Sequence, residues 1–155
     1  RLAATSLLHD VPSRPSTPPA SLSGKLAARR DRMTGYFNLM TRLWKVRDRF
    51  GATEAEKLFY WDNHDYVRVA PEKCHATLLK HPNNGVLAFI SNLRREKQTV
   101  TVEFDLDKLG LHNMKLDAFN ALTDEPVAMD GDGKLSVPLG SEEWVYIWLR
   151  TSGTD

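Results

Sequence analysis

The 155-residue sequence predicts a mainly β fold, an antiparallel β-sandwich of about seven or eight strands preceded by a long amphipathic α-helix. Three observations support this prediction. Residues 98–106 alternate strictly between apolar and polar side chains, as a strand does when one of its faces covers a core. Residues 86–92 form an almost wholly apolar run, which favours a strand covered on both faces. Residues 26–50 instead repeat apolar side chains every three or four positions, which is the period of a helix.

Composition divides the chain into four segments. Residues 1–24 end in a stretch rich in Pro, Ser and Thr, which cannot build a packed element. This segment is therefore predicted to be an extended linker or the remnant of an upstream domain. Residues 25–51 predict the helix, which ends at Gly51 in the left-handed conformation that suits a C-terminal glycine. Residues 52–150 predict the sandwich, and residues 151–155 predict a tail.

Short β-compatible runs separated by turn residues give the predicted strands of the sandwich. The final run is apolar on both faces and is therefore expected in the centre of its sheet. The predicted strands are residues 58–61, 66–69, 74–80, 86–92, 98–106, 114–122, a short strand at Val127, 134–139 and 144–149.

Net charge and cysteine content exclude several classes of function. The formal net charge of +1 gives no overall field that would attract nucleic acid or an anionic membrane, so neither is expected as a partner. The single cysteine, Cys74, excludes an internal disulfide and a cysteine-cluster metal site. No phosphate-binding loop or dinucleotide fingerprint is present, so no cofactor is predicted.

The sequence does not fix the location of the protein. No apolar run approaches the roughly 18 residues of a membrane-spanning helix, and no signal peptide is recognisable. The chain opens at Arg1 without an initiator Met, so we expect it to be a piece of a longer protein. A soluble protein is expected, and a secreted or periplasmic one if a signal peptide lies upstream.

Acidic and histidine side chains mark no catalytic or metal site. Hydrolysis of a glycosidic bond usually needs two carboxyl groups that flank the sugar, whereas the carboxylates here fall mostly in turns or on the solvent faces of strands. Residues 130–133 (Asp-Gly-Asp-Gly) resemble half of a calcium loop but lack the later glutamate, so a hairpin turn is predicted. The five histidines share no metal-ligand spacing, and no metal site is predicted.

Three aromatic residues, Tyr60, Trp61 and Tyr66, surround the polar turn at residues 62–65. They are candidates for carbohydrate binding, because flat aromatic rings pack on the apolar faces of sugars. The alternative is that the rings cover the seam between the helix and the sandwich, and this interpretation is favoured. Sugar binding predicts exposed, coplanar rings, whereas the alternative predicts rings buried against the helix.

The apolar stripe of the predicted helix is a candidate interface. A stripe so rich in large side chains needs a large partner surface to keep it dry. The partner is either the rest of the same protein, a second copy of the chain, or another protein. The stripe consists of Met33, Tyr36, Phe37, Met40, Leu43 and Trp44.

Four runs together resemble the C-terminal region of large glycoside-hydrolase-like proteins, in which an antiparallel β-sandwich follows a (β/α)8 barrel. These runs are residues 86–92, 100–106, 117–126 and 144–149, and the resemblance covers roughly residues 43–150. It implies that residues 3–11 are the last barrel strand and residues 33–50 the last barrel helix. Because catalytic residues of barrels lie at the C-terminal ends of strands, His9 and Asp10 would then border the active site of the missing barrel.

The resemblance implies a non-catalytic accessory sandwich that packs on an upstream catalytic barrel of the same protein and stabilises it. The parent protein would be a glycoside hydrolase, whereas this chain alone is not expected to be an enzyme. Two other functions stay open: a carbohydrate-binding module that uses surface aromatic residues, and an interaction or oligomerisation module that uses the helix stripe. The substrate, the reaction of the parent protein and the oligomeric state are not fixed by the sequence.

Overall fold

A computed structural model describes residues 7–10 and 25–151 of the chain. It confirms the mainly β class, with one long helix followed by eight strands. The described residues leave out residues 1–6 and 11–24, which make up most of the first predicted segment. They also leave out residues 152–155 of the predicted tail. The elements are α1 (Lys25–Phe50), β1 (Glu56–Leu58), β2 (Val67–Ala70), β3 (Cys74–His81), β4 (Gly85–Asn92), β5 (Gln98–Phe104), β6 (Leu116–Asn120), β7 (Lys134–Leu139) and β8 (Trp144–Thr151).

The strands form two antiparallel sheets. The first sheet has five strands in the order β1-β3-β4-β8-β6, and the second has three in the order β2-β5-β7. Every pair of neighbouring strands runs antiparallel. β8 lies between β4 and β6, which confirms its predicted central place. β4 is buried at every residue, which confirms that it is covered on both faces.

The two sheets enclose the main hydrophobic core. In β5, Val100, Val102 and Phe104 are buried, whereas Thr101 and Glu103 between them are partly exposed. The alternation read from the sequence therefore decides which face of β5 points inward. Burial of one such side chain stabilises the fold by about 1.5–3 kcal/mol.

The outer face of the five-stranded sheet carries a second hydrophobic core beneath α1. Met40, Leu43 and Phe50 of the helix are no more than 1% exposed. They share this core with Phe89 and Trp148 of the sheet, and the ring of Phe50 meets that of Trp148 edge-on at a centroid distance of 5.4 Å. The described part of the chain thus has three layers: the helix, the five-stranded sheet and the three-stranded sheet.

The helix α1 ends at Phe50 because the next residue, Gly51, adopts the predicted left-handed conformation. Gly51 has a φ of 79°, and its N–H donates to the carbonyl of Asp48 at 3.1 Å. The N–H of Ala52 donates to the carbonyl of Arg47 at 3.0 Å. These two bonds satisfy helix carbonyls that would otherwise lack a donor, in the pattern of a Schellman motif.

The barrel strand implied over residues 3–11 is wrong for its described part, because residues 7–10 form a helical turn. Among the predicted sandwich strands three differ most from those observed, and the others agree to within two residues at each end. The strand predicted over residues 58–61 is wrong at its end, because β1 stops at Leu58. The buried amide of Asn63 donates to the carbonyls of Leu58 (3.1 Å) and Ala76 (2.8 Å) and turns the chain out of the sheet. The strand predicted over residues 114–122 is shortened to β6. In place of a strand at Val127, two isolated bridges flank that residue.

Two glycine substitutions test the close contact between β4 and β8. Gly85 has a φ of 79°, and a Cβ there would lie 2.1 Å from the carbonyl oxygen of Leu149. Gly85→Ala is expected to lower the free energy of unfolding by about 2–5 kcal/mol through left-handed strain and overpacking. Gly35→Ala, in α1 with no atom within 4 Å, is the control and should raise it by about 0.5–1 kcal/mol. Urea unfolding measures both, and equal effects would contradict the packing described.

Candidate functional site

The segment Leu7–Asp10 lies on the outer face of the five-stranded sheet and belongs to the second hydrophobic core. Leu7 and Leu8 are 2% and 1% exposed. The hydroxyl of Thr77 in β3 donates to the carbonyl of Leu8 at 2.7 Å, and the N–H of Asp10 donates to the carbonyl of Leu7 at 3.0 Å. Both apolar burial and hydrogen bonding therefore hold this leading segment on the sheet.

The carboxylate of Asp10 is buried among charged and polar groups from three elements. It forms an ion pair with Arg47 of α1, and the side chains of both residues are less than 10% exposed. The ammonium of Lys57 in β1 lies 2.6 Å from the second carboxylate oxygen, Oδ2. Its direction does not meet hydrogen-bond geometry, so Oδ2 has no directional donor among the described residues. The guanidinium of Arg47 also donates to the hydroxyl of Tyr146 in β8 at 3.4 Å.

Burial and charge shift the pKa values of two members of this cluster. Burial raises the pKa of Tyr146, and the nearby Arg47 only partly offsets that effect. The phenol is therefore neutral at neutral pH. For Arg47, burial lowers the pKa, but its interactions with Tyr146 and Asp10 outweigh burial and raise the pKa above its ordinary value. The Asp10 carboxylate is the charge that compensates the buried guanidinium.

The two residues predicted to border a barrel active site have different surroundings. Asp10 is held by the ion pairs described above, whereas His9 is exposed. The His9 ring lies 5.2 Å from the ring of Trp61 and 5.7 Å from that of Tyr60. Whether His9 and Asp10 lie near an upstream catalytic site stays a prediction.

Tyr60 and Trp61 belong to one aromatic cluster on the turn after β1. The ring of Trp61 stacks on that of Phe59, with a centroid distance of 4.6 Å and an interplanar angle of 4°. The ring planes of Tyr60 and Trp61 meet at 81°. The centroid of the Tyr60 ring lies 4.9 Å from that of His75 in β3. Trp61 is 50% exposed, whereas Tyr60 is half-buried against the second core. The cluster thus has an exposed indole, but Tyr60 is not coplanar with it.

Tyr66, the third candidate for sugar binding, is not part of this cluster. It is half-buried and packs against the core between the two sheets. Its N–H donates to the carbonyl of Asn63 at 2.9 Å, and its carbonyl accepts from the N–H of Asp105 at 2.9 Å. The polar turn at residues 62–65 therefore separates Tyr66 from Tyr60 and Trp61.

The predicted helix stripe divides into two parts. Met40 and Leu43 are buried in the second core, and Tyr36 packs partly against it. Met33, Phe37 and Trp44 are half-buried and lie beside that buried stripe. The part of the stripe that covers the sheet continues instead through Val46, Arg47 and Phe50, all of them buried.

Sequence reasoning missed Arg47, Lys57 and Thr77 as residues that hold the leading segment. A signal for Arg47 existed, since it lies four residues after Leu43 and three before Phe50, on the apolar stripe. A charged residue at such a position needs a buried partner. Neither periodicity nor motif reveals which distant carboxylate fills that need.

Two further structural features bear on function. Among residues 7–10 and 25–151, no three His, Cys, Asp or Glu side chains come together in a group that could hold a metal ion. Within the same described ranges, no helix has the length and hydrophobicity needed to cross a membrane.

Residues 40–123, more than half of the 155-residue chain, match a family model described as "Glycoside hydrolase 123, C-terminal domain". The matched region extends from the middle of α1 through β6. No curated protein matches the chain.

Solved structures of glycoside hydrolases contain a similar fold. The protein AmyP in complex with maltotriose is 16% identical, and the match covers 86% of this chain with a TM-score of 0.56. An α-amylase from Anoxybacillus is 13% identical, and the match covers 77% of this chain with a TM-score of 0.53. This chain spans 23% of the length of each of these proteins. At such identities the likeness concerns the fold alone.

Removal of the Asp10 carboxylate tests the buried ion pair. Asp10→Ala leaves the guanidinium of Arg47 buried without its anion, and we expect the free energy of unfolding to fall by about 3–5 kcal/mol. The control is Asp65→Ala, which removes an exposed carboxylate 3.4 Å from Lys108 and should cost less than about 1 kcal/mol. Denaturant unfolding at neutral pH measures both variants. A loss at Asp10 no larger than that at Asp65 would contradict the role given to Asp10.

The dependence of stability on pH tests the burial of His75. Burial lowers the pKa of His75 below its ordinary value of 6.5, so the unfolded chain takes up a proton at a pH where the folded protein does not. The contribution of neutral His75 to the free energy of unfolding is therefore present above pH 6.5. It is lost as the pH falls from 6.5 towards the pKa of His75 in the folded protein. His75→Gln should reduce the fall in unfolding free energy between about pH 7.5 and about pH 5. Identical pH profiles of the two proteins would exclude this burial effect.

Proposed function

The chain belongs to the family of glycoside hydrolase 123 C-terminal domains, and from that membership we propose that it is a non-catalytic accessory β-sandwich of a multidomain carbohydrate-active protein. In this proposal the sandwich and α1 pack on an upstream catalytic domain of the same protein and stabilise it. The observation that best supports the proposal is a second apolar stripe on α1, beside the stripe that covers the sheet.

The second stripe consists of Met33, Phe37 and Trp44, all half-buried in the structure. At about 100° per residue, these side chains lie roughly 80–120° around the helix from Leu43. The first stripe already covers the five-stranded sheet, so the second lies on the flank of the helix beside that sheet. A helix with two adjacent apolar stripes is suited to lie between two bodies, one being the sandwich and the other the upstream domain.

The leading segment also supports a fixed position for the upstream domain. Leu7 and Leu8 are buried in the second core, and the ion pairs of Asp10 connect the segment to α1 and β1. A domain that precedes this segment would be joined to the chain where the chain is already packed on the sheet. It would therefore be held close to the sandwich and to α1.

The acidic side chains support an accessory role over a catalytic one. Asp10 is buried and compensated by Arg47 and Lys57. At the surface, Glu103 pairs with Lys134 at 2.8 Å, and this hydrogen-bonded pair lowers the pKa of Glu103. A glycosidase needs a carboxylic acid with a raised pKa beside a second carboxyl group. The acidic groups described here have instead the environment of structural ion pairs.

Paired substitutions in the second stripe test the proposal in the longer natural protein that contains this chain. Phe37→Ser with Trp44→Ser should separate the unfolding of the catalytic domain from that of the sandwich and lower the Tm of the catalytic domain. The loss of stability should be larger in the long protein than in the 155-residue chain, because only the long protein contains the contact that is removed.

The control for this experiment is Asn38→Ser with Lys45→Ser, since both residues are exposed on the side of α1 that faces away from the sheet, outside both stripes. Calorimetry of the four proteins, two lengths with two pairs of substitutions, gives the comparison. Equal destabilisation of the long and short proteins by the Phe37 and Trp44 substitutions would overturn the proposal. If those substitutions instead convert the short chain from a dimer to a monomer, the stripe serves self-association.

A further inference from the structure

A cavity of about 490 Å³ opens at the end of β3, on the outer face of the five-stranded sheet. Its wall includes Lys73, His75, Arg94 and Arg95, together with Glu96 and Glu142. The volume lies within the roughly 300–1,000 Å³ of small-molecule sites. Lys73 lies in the turn before β3. His75 points to this face because it lies two residues before Thr77, whose hydroxyl bonds to the leading segment there.

The cavity has a net positive charge, because three cationic side chains face the two carboxylates of Glu96 and Glu142. Arg94 pairs with Glu96 at 3.0 Å, and an oxygen of Asn92 accepts from its N–H at 2.9 Å, so Arg94 has a fixed position. Lys73 and Arg95 form no ion pair with the residues that the structure describes. Their two cationic groups are thus available to an anionic ligand.

Lys73 adopts a backbone conformation that a lysine does not favour. Its φ is 65°, in the left-handed region, where a side chain costs about 1–2 kcal/mol relative to glycine. Its carbonyl accepts from the N–H of Leu93 at 3.0 Å, and the next residue, Cys74, donates to the carbonyl of Pro71 at 3.1 Å. The backbone is thus fixed, and glycine would fit it without strain. A strained lysine at the rim of a cavity is consistent with a function of its ammonium group.

The cavity adjoins the aromatic cluster through His75. This side chain lines the cavity, and its ring contacts Tyr60 at 4.9 Å. Tyr60 in turn contacts the exposed Trp61 at 5.0 Å. Burial lowers the pKa of His75, so its imidazole is neutral at neutral pH and can both donate and accept a hydrogen bond. Cationic, hydrogen-bonding and aromatic groups therefore follow one another along this face.

We propose that this cavity and the adjoining rings of Tyr60 and Trp61 bind an acidic carbohydrate, with its carboxylate or sulfate group between Lys73 and Arg95. The anionic group follows from the two available cations, and the carbohydrate class rests on the proposed function. Two cations do not provide the track of phosphate contacts that a nucleic acid requires, so a sugar is the better match. The rings accommodate apolar C–H faces of the sugar, and His75 bonds to a hydroxyl.

Isothermal titration calorimetry of the 155-residue chain with two acidic probes tests the proposal. The probes are trigalacturonate, which carries carboxylates, and a sulfated chondroitin tetrasaccharide. Each has a matched neutral ligand, the full methyl ester of the first and the desulfated form of the second with its carboxyl groups also methyl-esterified. We expect binding of at least one acidic probe, weakened by added salt, and at least about tenfold weaker binding of its neutral counterpart.

Lys73→Gly separates binding from folding. The substitution removes the ammonium and relieves the left-handed strain, so it should weaken binding of the acidic probe at least about tenfold while the Tm stays the same or rises. Asn113→Gly is the control, because Asn113 also has a positive φ, of 63°, and is exposed outside the cavity. This control should leave the affinity unchanged. Trp61→Ala should weaken the binding of the acidic probe and that of its neutral counterpart by the same factor.

Three results would overturn the proposal. Equal affinity for the acidic and neutral ligands would show that the cavity has no anion site. If Lys73→Gly weakens binding no more than Asn113→Gly does, Lys73 is not part of the binding site. Absence of binding to both acidic probes would exclude the proposed ligand. None of these results decides the accessory role, which is tested independently by the unfolding of the longer protein.

Discussion

The ion pair between Asp10 and Arg47 is the interaction on which the outer layer of this protein depends. A buried guanidinium needs an anion, because removal of its hydration costs several kcal/mol that only a close partner offsets. Arg47 lies on the face of α1 that covers the sheet, so its anion must also lie on the sheet. Asp10 supplies it from the leading segment, and Tyr146 accepts a further bond from β8. One pair of charges thus fixes the helix, the segment and the sheet relative to one another.

This constraint separates the roles of the two hydrophobic cores. The core between the sheets consists of residues from the strands and their connections and defines the sandwich. The core on the outer face includes residues of α1 and of the leading segment, which both precede the strands in sequence. The buried charges specify how those earlier residues are placed, which apolar contacts alone specify less strictly. An upstream domain that packs on the second stripe, as proposed, would thereby be coupled to the sandwich.

Local patterns predicted the sandwich well because each pattern has a single physical cause. The alternation in β5, the continuous apolar run of β4 and the glycine after α1 all appear as expected. The aromatic run at residues 58–61 was assigned to a strand because its residue types favour β structure. It leaves the sheet because the amide of Asn63 replaces strand pairing with side-chain bonds, which no local pattern encodes. The partners of Arg47 and the cavity around Lys73 depend on residues brought together by the fold, so they were not predictable.

A double-mutant cycle on Asp10 and Arg47 tests the central claim most directly. The free energy of unfolding is measured for the unmodified chain, Asp10→Ala, Arg47→Met and the double variant under identical conditions. If the pair fixes the outer layer, the two residues should be coupled by at least about 1.5 kcal/mol, because the double variant leaves neither charge of the pair without its partner. Effects that add to within about 0.5 kcal/mol would show that the two residues act independently and would contradict this account.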